Sequence, residues 1–293
     1  MTTPHLPRVD AHIHLWDPEV LSYPWLQAHA SLARRFLPED YGSLNGGSAR
    51  PVDAVVAVEG NVRDGAGVVE AAWLDWVAAM DPRIAGIVAY VDMLDDPRRD
   101  HAFTALRRMP RVVGVRHNIQ GHPAGFSTQP RFVAGVRAVA AAGYPFDLCA
   151  TASQLGEVRA LVERCPEVHF ILDHCGKPDI GHGSFDAWRR DIDAIAAHDT
   201  VTCKLSGLFT QCAPDPCDER AIRPYLRHVV EIFGPRRVMY ASDWPVCTLA
   251  GSADAWHALV CDVVGGLCSR HERDEIFGGT AIRAYRLTIT TPA

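Results

Sequence analysis

The chain has 293 residues, 48% of them hydrophobic, and a formal net charge of −6 at pH 7. This length suits one or two globular domains, and a single α/β barrel commonly fills it. The acidic balance and the lack of a basic run argue against nucleic acid as a partner. No apolar run approaches the roughly 20 residues that a membrane span needs, and the first seven residues are too polar for a signal peptide.

Nine cysteines are scattered through the chain without a C-x-x-C pair. This usage is typical of a reduced, cytoplasmic protein, and we expect the same here. Cys149, Cys175 and Cys203 fall within strand-like runs, where cysteine usually acts as a small buried hydrophobe. The composition is compatible with a monomer and with a homodimer.

Strand-like and helix-like segments alternate along the chain. Short apolar runs predict strands at residues 8–14, 53–59, 84–91, 111–118, 145–149, 168–174, 201–207 and 237–241. Apolar residues at helical spacing predict helices around residues 73–80, 97–109, 132–143, 158–162, 188–195, 222–229, 256–263 and 273–285. This alternation, without a low-complexity linker, predicts one (β/α)8 barrel domain over residues 1–293. An open doubly wound sheet and two smaller α/β domains are the alternatives.

The stretch at residues 15–50, after the first strand, shows no regular periodicity. A loop this long in a compact domain is usually functional. We therefore expect a lid that brings Trp25 to the site. An excursion that only packs on the surface, or a dimer contact, is the other interpretation.

The first predicted helix carries two tryptophans on one face. Trp73, Trp76, Val77 and Met80 recur at i, i+3, i+4 and i+7. This spacing predicts that the face packs in the core and that the tryptophans do not stack on a ligand.

Ionisable side chains stand near the carboxyl ends of most predicted strands. They are His12, His14, Glu59, His117, Asp147, His174, Lys204 and Asp243. A lone buried histidine is usually a core residue, but a purely structural barrel would not collect so many costly groups at one end. Active sites of such barrels lie at this end, so we expect the site there. On a regular strand Asp173 would face away from His174, which predicts a structural role for Asp173.

The histidines and Asp243 suit the attack of water on a carbonyl. His12 and His14 are two residues apart and face the same side of a strand. Together with Asp243 they suit one divalent metal, most readily zinc. The same set suits metal-free chemistry, in which Asp243 takes a proton from water and histidines, His174 among them, hold the carbonyl oxygen. No G-x-S-x-G, G-x-G-x-x-G or P-loop pattern supports a serine hydrolase or a nucleotide site.

Six motifs together resemble one known family. They are RVDAHIHLWDP at 8–18, YPWL at 23–26, GVRH at 114–117, LDHCGKP at 172–178, CKLSG at 203–207 and SDWPV at 242–246. This set resembles the amidohydrolase-2 branch of the amidohydrolase superfamily. Within that branch it is most similar to the sugar lactonases, such as L-fuconolactonase and L-rhamnonolactonase.

The resemblance implies a distorted (β/α)8 barrel that opens a sugar-acid lactone to the hydroxy acid. By matching position, the catalytic set is His12, His14, His174 and Asp243. Substrate contacts are expected from Glu59, His117, Asp147, Lys204, Trp244 and Trp25.

Two positions depart from the metal-dependent members of the superfamily. The fifth strand carries Asp147 where many members have a ligand histidine, and the fourth ends in Arg116 and His117 where dinuclear members need a carboxylated lysine. One divalent metal or none is therefore expected. The alternatives are a metal-dependent decarboxylase of a small unsaturated acid, a hydrolase of an aromatic-derived lactone and, more remotely, a non-catalytic binding barrel.

Overall fold

Eight parallel strands form one sheet in chain order, in a computed structural model that describes residues 6–42, 52–183, 185–212 and 218–289. The strands are β1 (Val9–Ile13), β2 (Ala54–Val58), β3 (Ile84–Tyr90), β4 (Val112–Arg116), β5 (Phe146–Leu148), β6 (Phe170–Leu172), β7 (Val201–Leu205) and β8 (Val238–Tyr240). Ile13 of β1 bridges Trp244 just beyond β8, so the sheet curls into a nearly closed barrel. The predicted (β/α)8 barrel is confirmed, and every strand lies where the sequence placed it.

Helices cover the outside of the barrel and, in the case of the last one, its lower end. They are α1 (Gly67–Met80), α2 (Asp96–Leu106), α3 (Pro130–Ala142), α4 (Leu155–Arg164), α5 (Phe185–Ala196), α6 (Glu219–Phe233), α7 (Ala253–Gly265), α8 (Arg270–Asp274) and α9 (Thr280–Tyr285). A π-helical turn, Glu275–Gly279, joins α8 to α9, so the predicted terminal helix is one bent helical segment. No helix in the described part of the chain is long and apolar enough to cross a membrane.

The predicted excursion after β1 has no α-helix among its described residues, 15–42. It contains two 3-10 turns, Pro24–Ala28 and Pro38–Asp40. Trp16 pairs with Phe36 across an antiparallel bridge that closes the excursion on itself. Residues 43–50 of this predicted segment lie outside the described residues.

The barrel interior is filled from below by the last helix. Ala281 and Tyr285 of α9, with Leu287, pack against inward-facing strand residues such as Val56 and Val88. Gly114 makes room for this plug, because a Cβ atom at Gly114 would lie 3.1 Å from Cε1 of Tyr285. The upper part of the barrel is thereby left to polar groups.

A register shift in β1 aims its two histidines into the barrel mouth. Regular alternation would place Ala11 and His12 on opposite faces of the strand. The pairing of β1 with β2 shifts between Asp10 and Ile13, and a bulge of this kind re-aims side chains. Ala11 consequently packs in the interior cluster, and the next residue, His12, contacts groups of the mouth.

Two details of the sequence-based predictions were wrong. On α1, Trp76 is 58% and Met80 is 63% exposed, because the helix packs on the barrel through Leu74 and small residues that allow a closer approach. Cys212 is in a disulfide, so the cysteines are not all reduced. Cys149, Cys175 and Cys203 are buried free thiols, as predicted.

We expect Gly114→Ala to destabilise the barrel by about 1–3 kcal/mol, because the added Cβ atom crowds the Tyr285 ring and forces it to shift. Gly156 of α4 is the matched control, since a Cβ atom there meets nothing within 4 Å. Gly156→Ala is expected to stabilise the protein by about 0.5–1 kcal/mol. Urea unfolding measures the free energy of unfolding of both variants. Equal values would contradict the proposed close fit of Tyr285 against Gly114.

Candidate active site

The four residues predicted to form the catalytic set come together in the barrel mouth. Nε2 of His12 lies 3.1 Å from Nε2 of His14. Oδ1 of Asp243 lies 3.5 Å from Nε2 of His14 and 3.8 Å from Nε2 of His12. Nδ1 of His174 lies 3.9 Å from Oδ2 of Asp243. All four side chains are buried, so the mouth concentrates their chemistry in a largely dehydrated space.

Two of these residues have backbone conformations that glycine adopts more readily. His174 has φ 55° and Asp243 has φ 60°, both in the left-handed region. Such strain persists only where the surrounding structure enforces it, and it is common at functional sites. Gly207 accommodates the turned chain, because a Cβ atom at Gly207 would lie 2.8 Å from Cγ of His174. The turned backbone thus aims both side chains into the mouth.

Asp173 also faces the site, and the prediction that it faces away was wrong. The strand β6 ends at Leu172, so strand alternation does not extend to Asp173 and His174. Oδ1 of Asp173 lies 3.2 Å from Nδ1 of His12. Asp173 therefore supports His12 from below.

The hydrogen bonds of the ring nitrogens define where the imidazole protons lie. Nδ1 of His14 is 3.0 Å from the carbonyl oxygen of Val58, which only accepts, so Nδ1 carries the proton. In this tautomer Nε2 of His14 offers a lone pair. Nδ1 of His174 is 2.8 Å from Oγ of Ser206. When the Ser206 hydroxyl donates this bond, Nε2 of His174 carries the proton.

Lys204 forms the floor of the site. Its Nζ atom lies 2.6 Å from Oδ2 of Asp147, 2.9 Å from Oδ1 of Asp173 and 3.0 Å from Nδ1 of His12. The hydroxyl of Tyr285 donates to Oδ2 of Asp147 at 2.7 Å. Lys204 and Asp147 have no exposed surface, so this layer fixes the position of His12 from beneath.

Burial and neighbouring groups lower the pKa values of Asp243, His174 and His12. Burial alone would raise the pKa of Asp243, but His174, and then His14 and His12, hold this pKa below its usual value. Burial lowers the pKa of His174 to about 4. Burial, followed by the charge of Lys204, holds the pKa of His12 well below its usual value. At neutral pH these shifts leave Asp243 as a carboxylate and the imidazoles of His12 and His174 uncharged.

The arrangement fits one divalent metal. Nε2 of His12, Nε2 of His14 and Oδ1 of Asp243 lie within 4.8 Å of one another. Ligands about 2.0–2.2 Å from a tetrahedral zinc ion are about 3.3–3.5 Å apart, close to the distances in this group. Asp173 beside Nδ1 of His12 is the carboxylate partner that ligand histidines commonly have. These three residues therefore suit a metal site with an open position.

A family model described as Amidohydrolase matches residues 9–287. The chain belongs to this amidohydrolase family. It is 34% identical over 292 residues to a Burkholderia multivorans protein named L-fucono-1,5-lactonase, with 96% of each chain covered. It is 27% identical to an L-rhamnono-gamma-lactonase of Scheffersomyces stipitis over 60% of this chain and 59% of that protein.

A solved structure also resembles this amidohydrolase. It is a Burkholderia multivorans amidohydrolase with bound zinc, 33% identical, with a TM-score of 0.86 over 96% of this chain and 100% of the other. Both the fold and the family that the sequence predicted are thereby confirmed.

Glu59 is held in a buried ion pair behind the mouth of the amidohydrolase. Arg116 donates from Nε to Oε1 of Glu59 at 2.6 Å and from Nη1 to Oδ2 of Asp173 at 3.1 Å. The amide of Asn61 donates to Oε2 of Glu59 at 2.6 Å. Both carboxylate oxygens of Glu59 are therefore engaged by the protein.

His117 lies beside a second hollow at the same end of the barrel. Its Nδ1 accepts a hydrogen bond from the amide of Met93 at 3.1 Å. A cavity of about 760 Å³ lies against His117 and is also lined by Tyr90, His122 and Phe126. His117 thus borders open volume at this end of the barrel.

Trp25 and Trp244 connect the excursion to the rim. Nε1 of Trp25 donates to the carbonyl oxygen of Gly60 at 2.7 Å. The Trp244 ring packs on Phe36 and Tyr41, with centroid distances of 5.4 and 5.2 Å. The excursion is therefore attached to the loop after β2 and to the loop after β8.

Glu70 supports the rim and was missed from the sequence, where it looks like an ordinary helix-surface glutamate. It is buried on α1, and its Oε1 accepts a hydrogen bond from the amide of Gly60 at 2.9 Å. Burial, followed by the nearby charge of Glu59, raises the pKa of Glu70 to about 8. Glu70 is therefore protonated at neutral pH.

We expect Glu70→Gln to change how stability depends on pH. The folded protein keeps the Glu70 proton up to about pH 8, while the unfolded chain releases it near the ordinary value of 4.5. Between these two pH values the unfolding free energy of the wild type falls as pH rises. Its slope is steeper than that of the variant by up to about 1.4 kcal/mol per pH unit. Urea unfolding from pH 5 to pH 8 measures the two slopes.

The control for this experiment is Glu163→Gln, since the Glu163 side chain is 52% exposed. This variant is expected to keep the pH slope of the wild type. Parallel slopes for Glu70→Gln and the wild type would show that Glu70 is ionised in the folded protein.

Proposed function

We propose that this amidohydrolase opens a sugar-acid lactone, L-fucono-1,5-lactone or a close stereochemical relative, to the hydroxy acid. The observation that carries the proposal is the convergence of Asp243 with His12, His14 and His174 in one buried mouth. The names of the relatives that match nearly the whole chain support the choice of substrate. Such an activity belongs to carbohydrate breakdown in the cytoplasm.

In the proposed mechanism Asp243 is the general base. Its carboxylate takes a proton from water as the water oxygen attacks the lactone carbonyl. Nε2–H of His174 donates to the carbonyl oxygen and stabilises the negative charge that develops there. The tetrahedral intermediate then collapses with cleavage of the bond to the ring oxygen, which leaves as an alcohol with the proton that Asp243 returns.

His12 and His14 complete the polar wall of the reaction space. His12, His14 and Asp243 would hold a zinc ion, which would supply Lewis-acid chemistry to the reaction. Lys204 and Asp147, expected from the resemblance to contact substrate, are fully buried under His12. We propose instead that they orient its ring.

The sugar hydroxyls need donors and acceptors next to the mouth. We propose that His117 and the half-buried Trp25 line the path of the sugar, with Trp244 on an apolar face such as a methyl group. Glu59, held by its ion pair with Arg116, supports the side of this path. A polar site of this kind discriminates between sugars because a missing hydroxyl leaves a buried partner unpaired.

The competing functions have less support from the geometry. A hydrolase of an aromatic-derived lactone with several carboxylates needs free arginines at the rim, whereas Arg116 is committed to Glu59 and Asp173. A decarboxylase of the metal-dependent type needs a ligand on the fifth strand, whereas Asp147 is committed to Lys204. A non-catalytic barrel has no use for an ionised Asp243 beside the uncharged imidazoles of His12 and His174.

We expect Asp243→Asn to lower kcat for lactone hydrolysis by about 10²- to 10⁴-fold, because the amide cannot accept the proton of water. Asp100→Asn is the matched control, since the Asp100 side chain is 72% exposed, and it should keep wild-type turnover. Proton release from a panel of L- and D-aldonolactones measures both. A near-normal rate for Asp243→Asn, with the thermal melt unchanged, would refute the role of Asp243.

We expect the purified protein to bind one zinc ion per chain through His12, His14 and Asp243. Metal analysis after dialysis against zinc should give about one equivalent for the wild type and none for His12→Asn/His14→Asn. Turnover before and after chelation then separates a required metal from a dispensable one. Equal zinc content in the wild type and the double variant would place the metal elsewhere.

A further inference from the structure

A second cavity lies at the opposite end of the barrel from the catalytic residues. It has a volume of about 400 Å³ and is bordered by Pro145, His169, Thr202 and Arg237, at the amino ends of strands β5 to β8. Because the strands are parallel, these ends face away from the mouth that holds Asp243. The volume falls in the lower part of the range of small-molecule sites.

Four arginines converge on this cavity. They are Arg236 and Arg237, which precede β8, together with Arg283 of α9 and Arg286 just beyond it. Such a concentration of positive charge is unexpected in a chain with a net charge of −6. Like charges held close together repel one another unless a counter-ion or a ligand neutralises them.

The protein holds two of these guanidinium groups in place. Nη1 of Arg237 donates to the carbonyl oxygens of Ala196 and His198 at 2.9 and 3.1 Å. Arg283 pairs through Nη1 with Glu275 and donates from Nη2 to Oγ1 of Thr280 at 3.3 Å. Fixed guanidinium groups lose little entropy when they bind an anion.

The guanidinium groups of the other two arginines are available to a ligand. The side chains of Arg236 and Arg286 make no hydrogen bond or ion pair with any described residue. The cavity also borders Glu167 and Asp199, but Glu167 is shared with Arg137 at 3.6 Å outside the cavity. The balance of charge in the cavity is therefore positive.

We propose that this cavity binds a small polyanion, a molecule with a phosphate group or several carboxylates, at a site separate from the catalytic mouth. Guanidinium groups match both chemistries, because their paired N–H groups donate two parallel hydrogen bonds to phosphate or carboxylate oxygens. The cavity holds a molecule of the size of a sugar phosphate or a tricarboxylic acid.

The test is calorimetric titration of the whole protein with inorganic phosphate and, separately, with citrate, at an ionic strength kept constant with potassium chloride. Saturable binding of either anion is expected, and the preferred anion identifies the phosphate or the carboxylate chemistry. In Arg236→Gln/Arg286→Gln the affinity should fall by about 10-fold or more. Arg189→Gln/Arg190→Gln removes the same charge from two exposed residues of α5 and should bind like the wild type.

Lactone turnover without added anion should be unchanged in Arg236→Gln/Arg286→Gln, which separates this site from the catalytic one. If the double variant fails to fold, Arg236→Gln alone serves, since Arg236 is exposed. The proposal is overturned if neither phosphate nor citrate saturates the protein below about 10 mM. Equal affinity in the wild type and in the pocket variant overturns it as well, because binding then does not depend on these arginines.

Discussion

The buried ammonium group of Lys204 is the constraint on which the candidate active site depends. An unpaired ammonium in the interior costs several kcal/mol, so its surroundings must supply partners. Lys204 donates to Asp147 and Asp173, and its Nζ atom also lies 3.0 Å from Nδ1 of His12. Asp147 belongs to β5, Asp173 follows β6 and His12 belongs to β1. One cation on β7 thus contacts three other strands just beneath the proposed catalytic residues.

The charges around the mouth are unevenly balanced. Lys204 and Arg116 are the cations, and they face Asp147, Asp173 and Glu59 within the ion-pair network, with Asp243 above. The excess of carboxylates makes the mouth favourable for a divalent cation. The same three residues that suit the metal, His12, His14 and Asp243, belong to the set proposed to act on the substrate.

Much of this structure was predictable from the sequence, for identifiable reasons. Strands buried on both faces read as continuous apolar runs, so all eight were found, and parallel strands bring their carboxyl ends together, so His12, His174 and Asp243 were expected to meet. The direction in which the Asp173 side chain points was not predictable, because it depends on the residue at which β6 ends. Tyr285 was missed because it contacts Asp147 from a helix 138 residues further along the chain. Glu70 was missed because its burial under the loop after β2 leaves no pattern in the sequence of its helix.

The position of Tyr285 near the end of the chain determines when the barrel is completed during synthesis. The Tyr285 hydroxyl is the second donor to Oδ2 of Asp147, and the Tyr285 ring fills the barrel between Val88 and Gly114. During synthesis the ribosome releases this residue only after all eight strands have emerged. A nascent chain that has already paired its strands still lacks the Tyr285 ring at the lower end of the barrel. Asp147 then lacks one of its two hydrogen-bond donors. The final helix therefore acts as the closing piece of the barrel, and the polar layer under the histidines is complete only when it docks.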